Sequence, residues 1–335
     1  MSRFVELPGF VDSHCHAFQR ALRGSAAGGD FWEWREAMLG LAGDLDPGRV
    51  REGYAATYRE LRAGGYTAVG EFHYVGRAEA LAAVDAARDA GVELVLLACA
   101  YARGGLRRFR QESIGDFFRW LEDLGERGAR VGVAPHSVRA CPADWLSAIG
   151  AYAERERLVL HIHADEQPRE IDECLAEHGR RPIELLADCG CLGPQTTVVH
   201  ATHADDRELD LLAATGARVC LCPTTEASLG DGFAPVDRLC ERGIPLCIGS
   251  DANVCTDALQ ELREVESIGR RQLLRRNVIP AERLLAAGSS EGAAALGLES
   301  WPSVRIDLEH PCLAGLDEAD VPAALVAACS ADVIA

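Results

Sequence analysis

The sequence lacks the features that would place the protein at a membrane or on nucleic acid. It has no run of about 18 uncharged apolar residues, and it begins with MSRFVELPGFVDSHCH, which is not a signal peptide. It has no long basic run, and 52 acidic residues outnumber 34 basic ones, leaving a net charge of −18. These absences predict a cytoplasmic protein that binds neither nucleic acid nor a membrane.

Nucleotide-binding loops and zinc-finger spacings are absent as well. No GxGxxG or Walker-type loop is present, which argues against hydride or phosphoryl transfer. Thirteen cysteines lie mostly in apolar runs such as LVLLACA, and without an export signal we expect reduced, buried thiols. Two pairs, Cys189/Cys191 and Cys220/Cys222, have CxC spacing, which leaves a metal site there open as a minor alternative.

What the sequence does contain is a regular alternation of short apolar runs with amphipathic helical segments. Such alternation is typical of parallel βαβ units. Eight runs predict an α/β fold of the (β/α)8 barrel type, and a doubly wound sheet with six or seven strands is the alternative. The runs are residues 10–16, 67–72, 93–99, 130–136, 158–166, 196–202, 217–223 and 245–251.

Histidine and acidic residues are concentrated where these runs end. Seven of the ten histidines lie on or just after a predicted strand end. Active sites of (β/α)8 barrels lie at the carboxyl ends of the strands. The residues at these ends are His14, His16, Glu71, His73, His136, His163, Glu166, His200, His203 and Asp251.

His14 and His16 form an HxH pair at the end of the first run. Residues i and i+2 of a strand point to the same face, so both imidazoles can converge on one ion. Together with His163 and Asp251 they predict a hydrolytic metal site.

The fifth run contains a second HxH pair, His161 and His163. We choose His163 as the ligand because the HxxE spacing then places Glu166 just beyond the strand end. His161 would lie one layer deeper as a hydrogen-bonded barrel histidine. His200 ends the sixth run and favours a catalytic role, whereas a role for His203 is left open.

These residues suit the hydrolysis of a C–N bond. A bound ion such as zinc can lower the pKa of its water from about 15.7 to near 7. Asp251 could accept the proton of the water, and Glu166 could pass a proton to the departing nitrogen. His200 could stabilise the developing charge. The set predicts deamination or amide hydrolysis.

Longer blocks resemble a known family. PGFVDSHCHAFQRALRG, FWEWREAM, GYTAVGEFHY, APHSVRA, HIHADEQPREIDECL, VVHATH, LCPTTEASLGDG and GSDANV occur in this order, from about residue 7 to about residue 320. Together they resemble the formimidoylglutamate deiminases of histidine degradation, within the amidohydrolase superfamily.

The resemblance implies a site and a reaction. It implies one zinc ion on His14, His16, His163 and Asp251, with Glu166 and His200 as catalytic partners. It implies a substrate pocket formed by Gln19, Arg35, Tyr74, His136 and Arg139. The reaction would convert N-formimino-L-glutamate and water to N-formyl-L-glutamate and ammonia.

The chemistry of the pocket residues agrees with a small anionic substrate. Arginine forks bind carboxylates in bidentate fashion, so Arg35 and Arg139 could hold the two carboxylates of the substrate. No lysine lies at the end of the fourth run, where a bridging carbamylated lysine would indicate two metals. One divalent ion is therefore expected.

Both ends of the chain depart from the family pattern. The HxH pair comes as early as residue 14, and the tail after LGLESWPSVRIDLEH is short. We therefore expect a catalytic barrel over residues 1–300 and a tail, 301–335, that is the remnant of a much reduced or absent β-sandwich. A nearly bare barrel would leave apolar surface that a second subunit could cover, which predicts a homodimer.

Three functions remain open from the sequence. The first is hydrolysis of N-formimino-L-glutamate. The second is the same chemistry on another formimino, amidine or heterocyclic amine substrate, for which two arginines and Gln19 would have less use. The third is a catalytically inactive barrel that serves as a binding protein, which the complete set of candidate ligands disfavours.

Overall fold

Eight strands form one parallel sheet. The computed structural model describes residues 3–24 and 28–335. Each strand of the sheet pairs in parallel with the next one along the chain. The strands are β2 (Phe10–Cys15), β3 (Tyr66–His73), β4 (Glu93–Ala100), β5 (Val131–Pro135), β6 (Leu160–Ala164), β7 (Thr196–His200), β8 (Arg218–Leu221) and β9 (Leu246–Ile248).

The sheet closes into a barrel between its first and last strands. Cys15, at the end of β2, forms a parallel bridge with Asp251, which follows β9. The Asp251 N–H donates to the carbonyl of His14, and the His16 N–H donates to the carbonyl of Asp251, both over 2.9 Å. This closure confirms the (β/α)8 barrel and excludes the doubly wound alternative, which would be an open sheet.

Helices follow the strands along the chain. The long ones are amphipathic. Three of them, α2, α8 and α11, are preceded by the N-cap residues Asp46, Asp205 and Asp257, whose side chains accept hydrogen bonds from N–H groups of the first turn. The helices are α1 (Phe31–Gly43), α2 (Pro47–Ala63), α3 (Arg77–Ala90), α4 (Ile114–Glu126), α5 (Ala143–Glu156), α6 (Pro168–His178), α7 (Pro182–Asp188), α8 (Asp206–Thr215), α9 (Pro223–Leu229), α10 (Val236–Glu241), α11 (Ala258–Leu273), α12 (Ala281–Ala287), α13 (Ser290–Ala295) and α14 (Val321–Ala328).

The predicted strands are shorter in the structure where their last residues are polar. The run predicted at 158–166 is a strand only over Leu160–Ala164, and the run at 245–251 only over Leu246–Ile248. At both ends the chain turns into a left-handed conformation, with φ of 55° at Asp165 and 47° at Asp251. These turns lie at or shortly after the ends of the two strands, directly before Glu166 and at Asp251.

A small second sheet lies outside the barrel. Strand β1 (Phe4–Pro8) pairs antiparallel with β10 (Ser303–Asp307), and Ile306 also bridges to Ile334 near the chain end. The Trp301 indole donates a 2.8 Å hydrogen bond to the carbonyl of Gly9, at the entry to β2. The first described residues therefore pack with the tail as a reduced extra domain, and a domain boundary at residue 300 stays a prediction.

Most of the thirteen cysteines are buried, and all of them are free thiols. Among the described residues, no helix is both long and apolar enough to cross a membrane.

Candidate metal centre and substrate cavity

The barrel closure brings four candidate ligands to one point. His14 lies in β2 and His16 directly follows it, while His163 is the fourth residue of β6. Asp251 is positioned by its backbone pairing with the end of β2. The ligand atoms of these four buried residues all lie within 4.8 Å of one another.

The atoms are spaced as ligands around one ion. His163 Nε2 lies 3.1 Å from His14 Nε2 and 3.4 Å from His16 Nε2. Asp251 Oδ1 lies 3.4 Å from His14 Nε2 and 3.3 Å from His16 Nε2. Ligands at about 2.0–2.2 Å from one ion stand roughly 3.0–3.6 Å apart. Three imidazoles and a carboxylate at these spacings fit a divalent cation.

Backbone carbonyls fix the tautomers of two ligand histidines. His16 Nδ1 donates to the carbonyl of Phe72 over 3.1 Å, and His163 Nδ1 donates to that of His136 over 3.0 Å. In the neutral rings the Nε2 lone pairs then face each other across 3.4 Å, an arrangement that a cation between them stabilises. Burial lowers the pKa of His16 to about 3 and also lowers the pKa of His163, which favours these neutral forms.

Asp12 holds the loop that carries Asp251. Its Oδ1 accepts the Ser250 N–H over 2.9 Å and its Oδ2 accepts the Ser250 hydroxyl over 2.5 Å. The Asn253 amide donates to the carbonyls of Asp251 and His16. Burial raises the pKa of Asp251 to about 7, so the carboxylate gains from a positive charge beside it.

His200 ends β7 beside the cluster and contacts three carboxylates. Its Nε2 lies 3.7 Å from Glu166 Oε1 and 3.8 Å from Asp251 Oδ2, and its Nδ1 lies 3.3 Å from Glu226 Oε1. Burial by itself lowers the pKa of His200, but the carboxylates of Glu166, Glu226 and Asp251 outweigh it and raise the pKa to about 10.

A cavity of about 210 Å³ opens at the cluster. The volume is below the usual range for drug-sized ligands, so it suits a small metabolite. Its lining includes the ligand residues His16, His163 and Asp251 together with Glu166. All five residues of the predicted substrate pocket line it as well: Gln19, Arg35, Tyr74, His136 and Arg139.

Arg139 is the most buried guanidinium of the cavity. Its Nη2 lies 3.5 Å from Glu166 Oε2, and its Nε lies 3.5 Å from Glu170 Oε1. Its Nε has no hydrogen-bond partner within the described residues. Arg35 is more exposed, and among the described residues its one ion pair is with Glu36, over 3.6 Å. Both guanidiniums can therefore take an anionic ligand from the cavity.

Sequence reasoning missed several residues of this site. Trp32 lies under two guanidiniums, with Arg169 4.3 Å and Arg139 6.0 Å from its ring centre. Glu170 accepts the Glu166 N–H over 3.2 Å and also contacts Arg139. The signal that could have found Glu170 is its place in the first turn of α6, three residues after the N-cap Gln167, because a glutamate there can reach back to an N–H that precedes the helix. No sequence pattern around Trp32 or Glu226 indicates that these two residues belong to the site.

His161 and His203 do not belong to the four-ligand cluster. His161 Nε2 lies 2.9 Å from the carbonyl of Ala295 and is buried, as predicted for a deeper barrel histidine. His203 Nε2 lies 2.7 Å from the carbonyl of Asp231. Within the described part of the chain, neither CxC pair supplies two ligands to one site, although Cys222 lies close to His200 and Asp251.

The fold and the site define a class of enzyme. The model of the Amidohydrolase family matches residues 5–300, and the chain belongs to this family. It is a hydrolase that acts on C–N bonds other than peptide bonds.

Similar proteins support the resemblance to formimidoylglutamate deiminases. The chain is 36% identical over 326 residues to the formimidoylglutamate deiminase of Pseudomonas aeruginosa, covering 87% of this chain and 72% of that protein. It is 29% identical over 309 residues to a 5-methylthioadenosine/S-adenosylhomocysteine deaminase of Halobacterium salinarum, covering 88% and 69%. A solved adenosine deaminase of Xanthomonas campestris with bound zinc has the same fold, with a TM-score of 0.89, 22% identity and coverage of 99% and 78%.

Proposed function

We propose that the protein hydrolyses N-formimino-L-glutamate to N-formyl-L-glutamate and ammonia. The observation that carries this proposal is the cavity itself, which joins the four-ligand cluster to the guanidiniums of Arg35 and Arg139. An amidine carbon at the cluster and two carboxylates farther out match this arrangement of charges. The 36% identity to the Pseudomonas aeruginosa formimidoylglutamate deiminase supports the same substrate.

The proposal includes one divalent ion, zinc, held by His14, His16, His163 and Asp251. Three histidine nitrogens and one carboxylate oxygen are ligands that zinc accepts, and the related adenosine deaminase of Xanthomonas campestris was solved with bound zinc. When bound, the ion would supply an activated water at neutral pH and polarise the amidine carbon's substituents.

The residues around the cluster would move the protons. Asp251 Oδ2 would accept the proton of the attacking water, and Glu166 would carry a proton to the departing nitrogen. His200 Nε2 faces both carboxylates, at 3.8 Å and 3.7 Å, so it can stabilise charge that develops between them. The amidine nitrogen leaves as ammonia once it is protonated.

Recognition of the substrate would depend on local charge. The whole chain has a net charge of −18, so a dianion needs local guanidiniums to bind. Arg139 is held between Glu166 and Glu170, which orients its fork, and a substrate carboxylate would replace part of that pairing. Gln19 donates to the Tyr74 hydroxyl over 3.1 Å, so this pair offers polar groups at a fixed position.

The alternative substrate is a heterocyclic amine. Phe31, Trp32 and Trp34 line the outer cavity, and aromatic rings there could stack on a purine. The relationship to the Halobacterium salinarum deaminase adds weight to this second candidate. A neutral heterocycle would leave the buried guanidinium of Arg139 without an anionic partner from the ligand, which favours the first candidate.

Ammonia release by purified protein tests the proposal. We expect metal-dependent release from N-formimino-L-glutamate by the zinc-loaded protein and none from the metal-stripped control. 5-Methylthioadenosine and S-adenosylhomocysteine serve as competing substrates in the same assay. Release from either nucleoside, without release from N-formimino-L-glutamate, would overturn the substrate and leave the family's chemistry standing.

The proposal also keeps the predicted homodimer. Light scattering would check it, with an expected mass of twice the 36.0 kDa of one chain. A mass of one chain would contradict the dimer.

A further inference from the structure

Glu226 is a buried carboxylate that the reaction scheme does not yet use. It lies in the short helix α9 and is 1% exposed. Its Oε1 lies 3.3 Å from His200 Nδ1, and its Oε2 has no hydrogen-bond partner within the described residues. Burying a carboxylate is costly unless hydrogen bonds stabilise it, so the contact with His200 calls for an explanation.

The two nitrogens of the His200 ring face different surroundings. Nδ1 faces Glu226, whereas Nε2 faces Glu166 and Asp251 at the edge of the metal cluster. His200 also has a positive φ of 73°, so its backbone is held in a conformation that non-glycine residues adopt rarely. Within the described residues His200 Nε2 has no hydrogen-bond partner, so the contact of Nδ1 with Glu226 is the one that can orient the ring.

Glu226 itself is held by its own helix turn. The Cys222 N–H donates to Glu226 Oε1 over 2.9 Å, and the Glu226 N–H donates to the carbonyl of Cys222 over 2.9 Å. The oxygen that contacts His200 is thus the same one that accepts a backbone N–H. That oxygen is presented to the imidazole as an acceptor.

We propose that Glu226 is a positioning residue for the hydrolytic reaction, because it accepts the Nδ1 proton of His200 and so directs Nε2 toward Glu166 and Asp251. This inference rests on the proposed function of the site. A carboxylate behind a catalytic imidazole fixes its tautomer and its orientation, and the loss of such an outer partner typically costs about 10–100-fold in activity.

The competing explanation is that Glu226 only stabilises the start of helix α9. Two variants separate the two explanations. Glu226→Gln keeps an oxygen that can accept both N–H groups, because the Cys222 N–H holds that oxygen in place. Glu226→Ala removes the acceptor from the His200 ring and from the helix turn together.

Glu261 offers a matched control. It is also a buried glutamate, and it accepts the Thr224 N–H over 3.2 Å and the Thr224 hydroxyl at the same end of α9. Glu261→Ala therefore loosens the same helix start without removing the acceptor of His200 Nδ1.

The test combines kinetics with ¹⁵N NMR of histidine side chains in the zinc-loaded protein. The His200 signals are identified as those that are missing from the spectrum of His200→Asn. We expect a protonated Nδ1 on His200 in the parent, in Glu226→Gln and in Glu261→Ala, and a partly deprotonated Nδ1 in Glu226→Ala. Glu226→Ala should lower kcat about 10–100-fold with KM and zinc content unchanged, and Glu226→Gln should recover most of the loss.

A parent protein with an unprotonated Nδ1 on His200 would overturn the inference, even if Glu226→Ala fails to fold. An unchanged protonation of His200 Nδ1 together with an unchanged kcat in Glu226→Ala would overturn it as well. If N-formimino-L-glutamate is not turned over, the proposed substrate fails, but the NMR result still decides the role of Glu226.

Discussion

His161 and His163 lie two residues apart on the same strand, and their surroundings separate their roles. His163 Nε2 faces His14 and His16, while its Nδ1 is held by a backbone carbonyl. His161 instead contacts the carbonyl of Ala295 deeper in the barrel. The same residue type therefore serves as a candidate ligand at one layer and as a buried hydrogen-bonded group at the next.

This difference predicts the metal content of two matched variants. His163→Gln should lose the bound ion and all turnover, because it removes one of four ligands. His161→Gln should keep about one ion per chain. Elemental analysis of proteins dialysed against a weak chelator measures both. Equal metal content in the two variants would remove His163 from the ligand set.

Glu166 provides a second prediction at this scale. Glu166→Gln keeps the size of the side chain but can no longer carry a proton, so kcat should fall by at least about 100-fold while the metal stays bound. Single-turnover ammonia release and zinc analysis on the same sample give both quantities. Parent-like turnover would show that the proton reaches the leaving nitrogen by another route.

Arg139 should act on binding more than on turnover. Arg139→Met removes a charge-assisted hydrogen bond to a substrate carboxylate, so KM should rise by about 10–100-fold. kcat should change less, although the Glu166 carboxylate loses its neighbouring guanidinium in this variant. Initial-rate kinetics check the split. An unchanged KM would take Arg139 out of the substrate pocket.

At the scale of helices and strands, the ends of the elements form the site. Left-handed residues lie at or just after the ends of three barrel strands, at Asp165, His200 and Asp251. Glu166, next to Asp165, and Asp251 line the cavity. Helix α1 places Phe31, Trp32 and Arg35 over the cavity within little more than one turn. The central parts of the strands are buried and serve as the scaffold.

The N-cap residue of helix α11, Asp257, contacts both the helix and the tail. Asp257 Oδ1 accepts the N–H groups of Leu259 and Gln260, and Asp257 Oδ2 accepts the Ala331 N–H over 2.9 Å. Asp257→Ala should lower the free energy of unfolding by about 1–2 kcal/mol, the usual cost of a lost N-cap.

Urea unfolding of the metal-loaded protein measures this loss. Asp46→Ala is a suitable comparison, because Asp46 caps helix α2 without touching the tail, and its effect should be smaller. Equal losses in the two variants would mean that the contact of Asp257 with Ala331 does not contribute to stability.

At the scale of the whole molecule, the barrel buries several carboxylates around its mouth. Burial raises the pKa of Glu71 to about 8, against the hydrogen bonds from the Ala17 N–H and the Tyr58 hydroxyl, which favour the charged form. Glu71 is 0% exposed. Such a group makes the stability of the protein depend on pH near neutrality.

The sign of this dependence follows from the two pKa values of Glu71, 4.5 unfolded and about 8 folded. Between them the folded protein keeps a proton that the unfolded chain has released, so the free energy of unfolding falls as pH rises. Glu71→Gln should therefore be relatively more stable at pH 8 than at pH 5, compared with the parent. Urea unfolding at both pH values checks this, and a pH-independent difference would contradict the raised pKa.

Much of the barrel and the candidate ligands could be predicted from sequence alone. Alternating apolar runs predict the eight strands, because burial on both faces requires continuous apolar residues. The HxH spacing places two imidazoles on one strand face, since side chains repeat every two residues. These are local rules, and His14, His16 and His163 obey them, whereas Asp251 reaches them through the closure of the barrel.

Only the tertiary structure decided how distant segments meet. Strand β1 was not predicted, because its pattern becomes a strand only through pairing with β10, about 300 residues later. Glu226 contacts His200 across 26 residues of sequence, and Arg139 contacts Glu166 across two neighbouring loops. Contacts of this kind depend on barrel closure, which places the ends of the strands side by side. Which loop side chains then face each other cannot be predicted from a local sequence pattern.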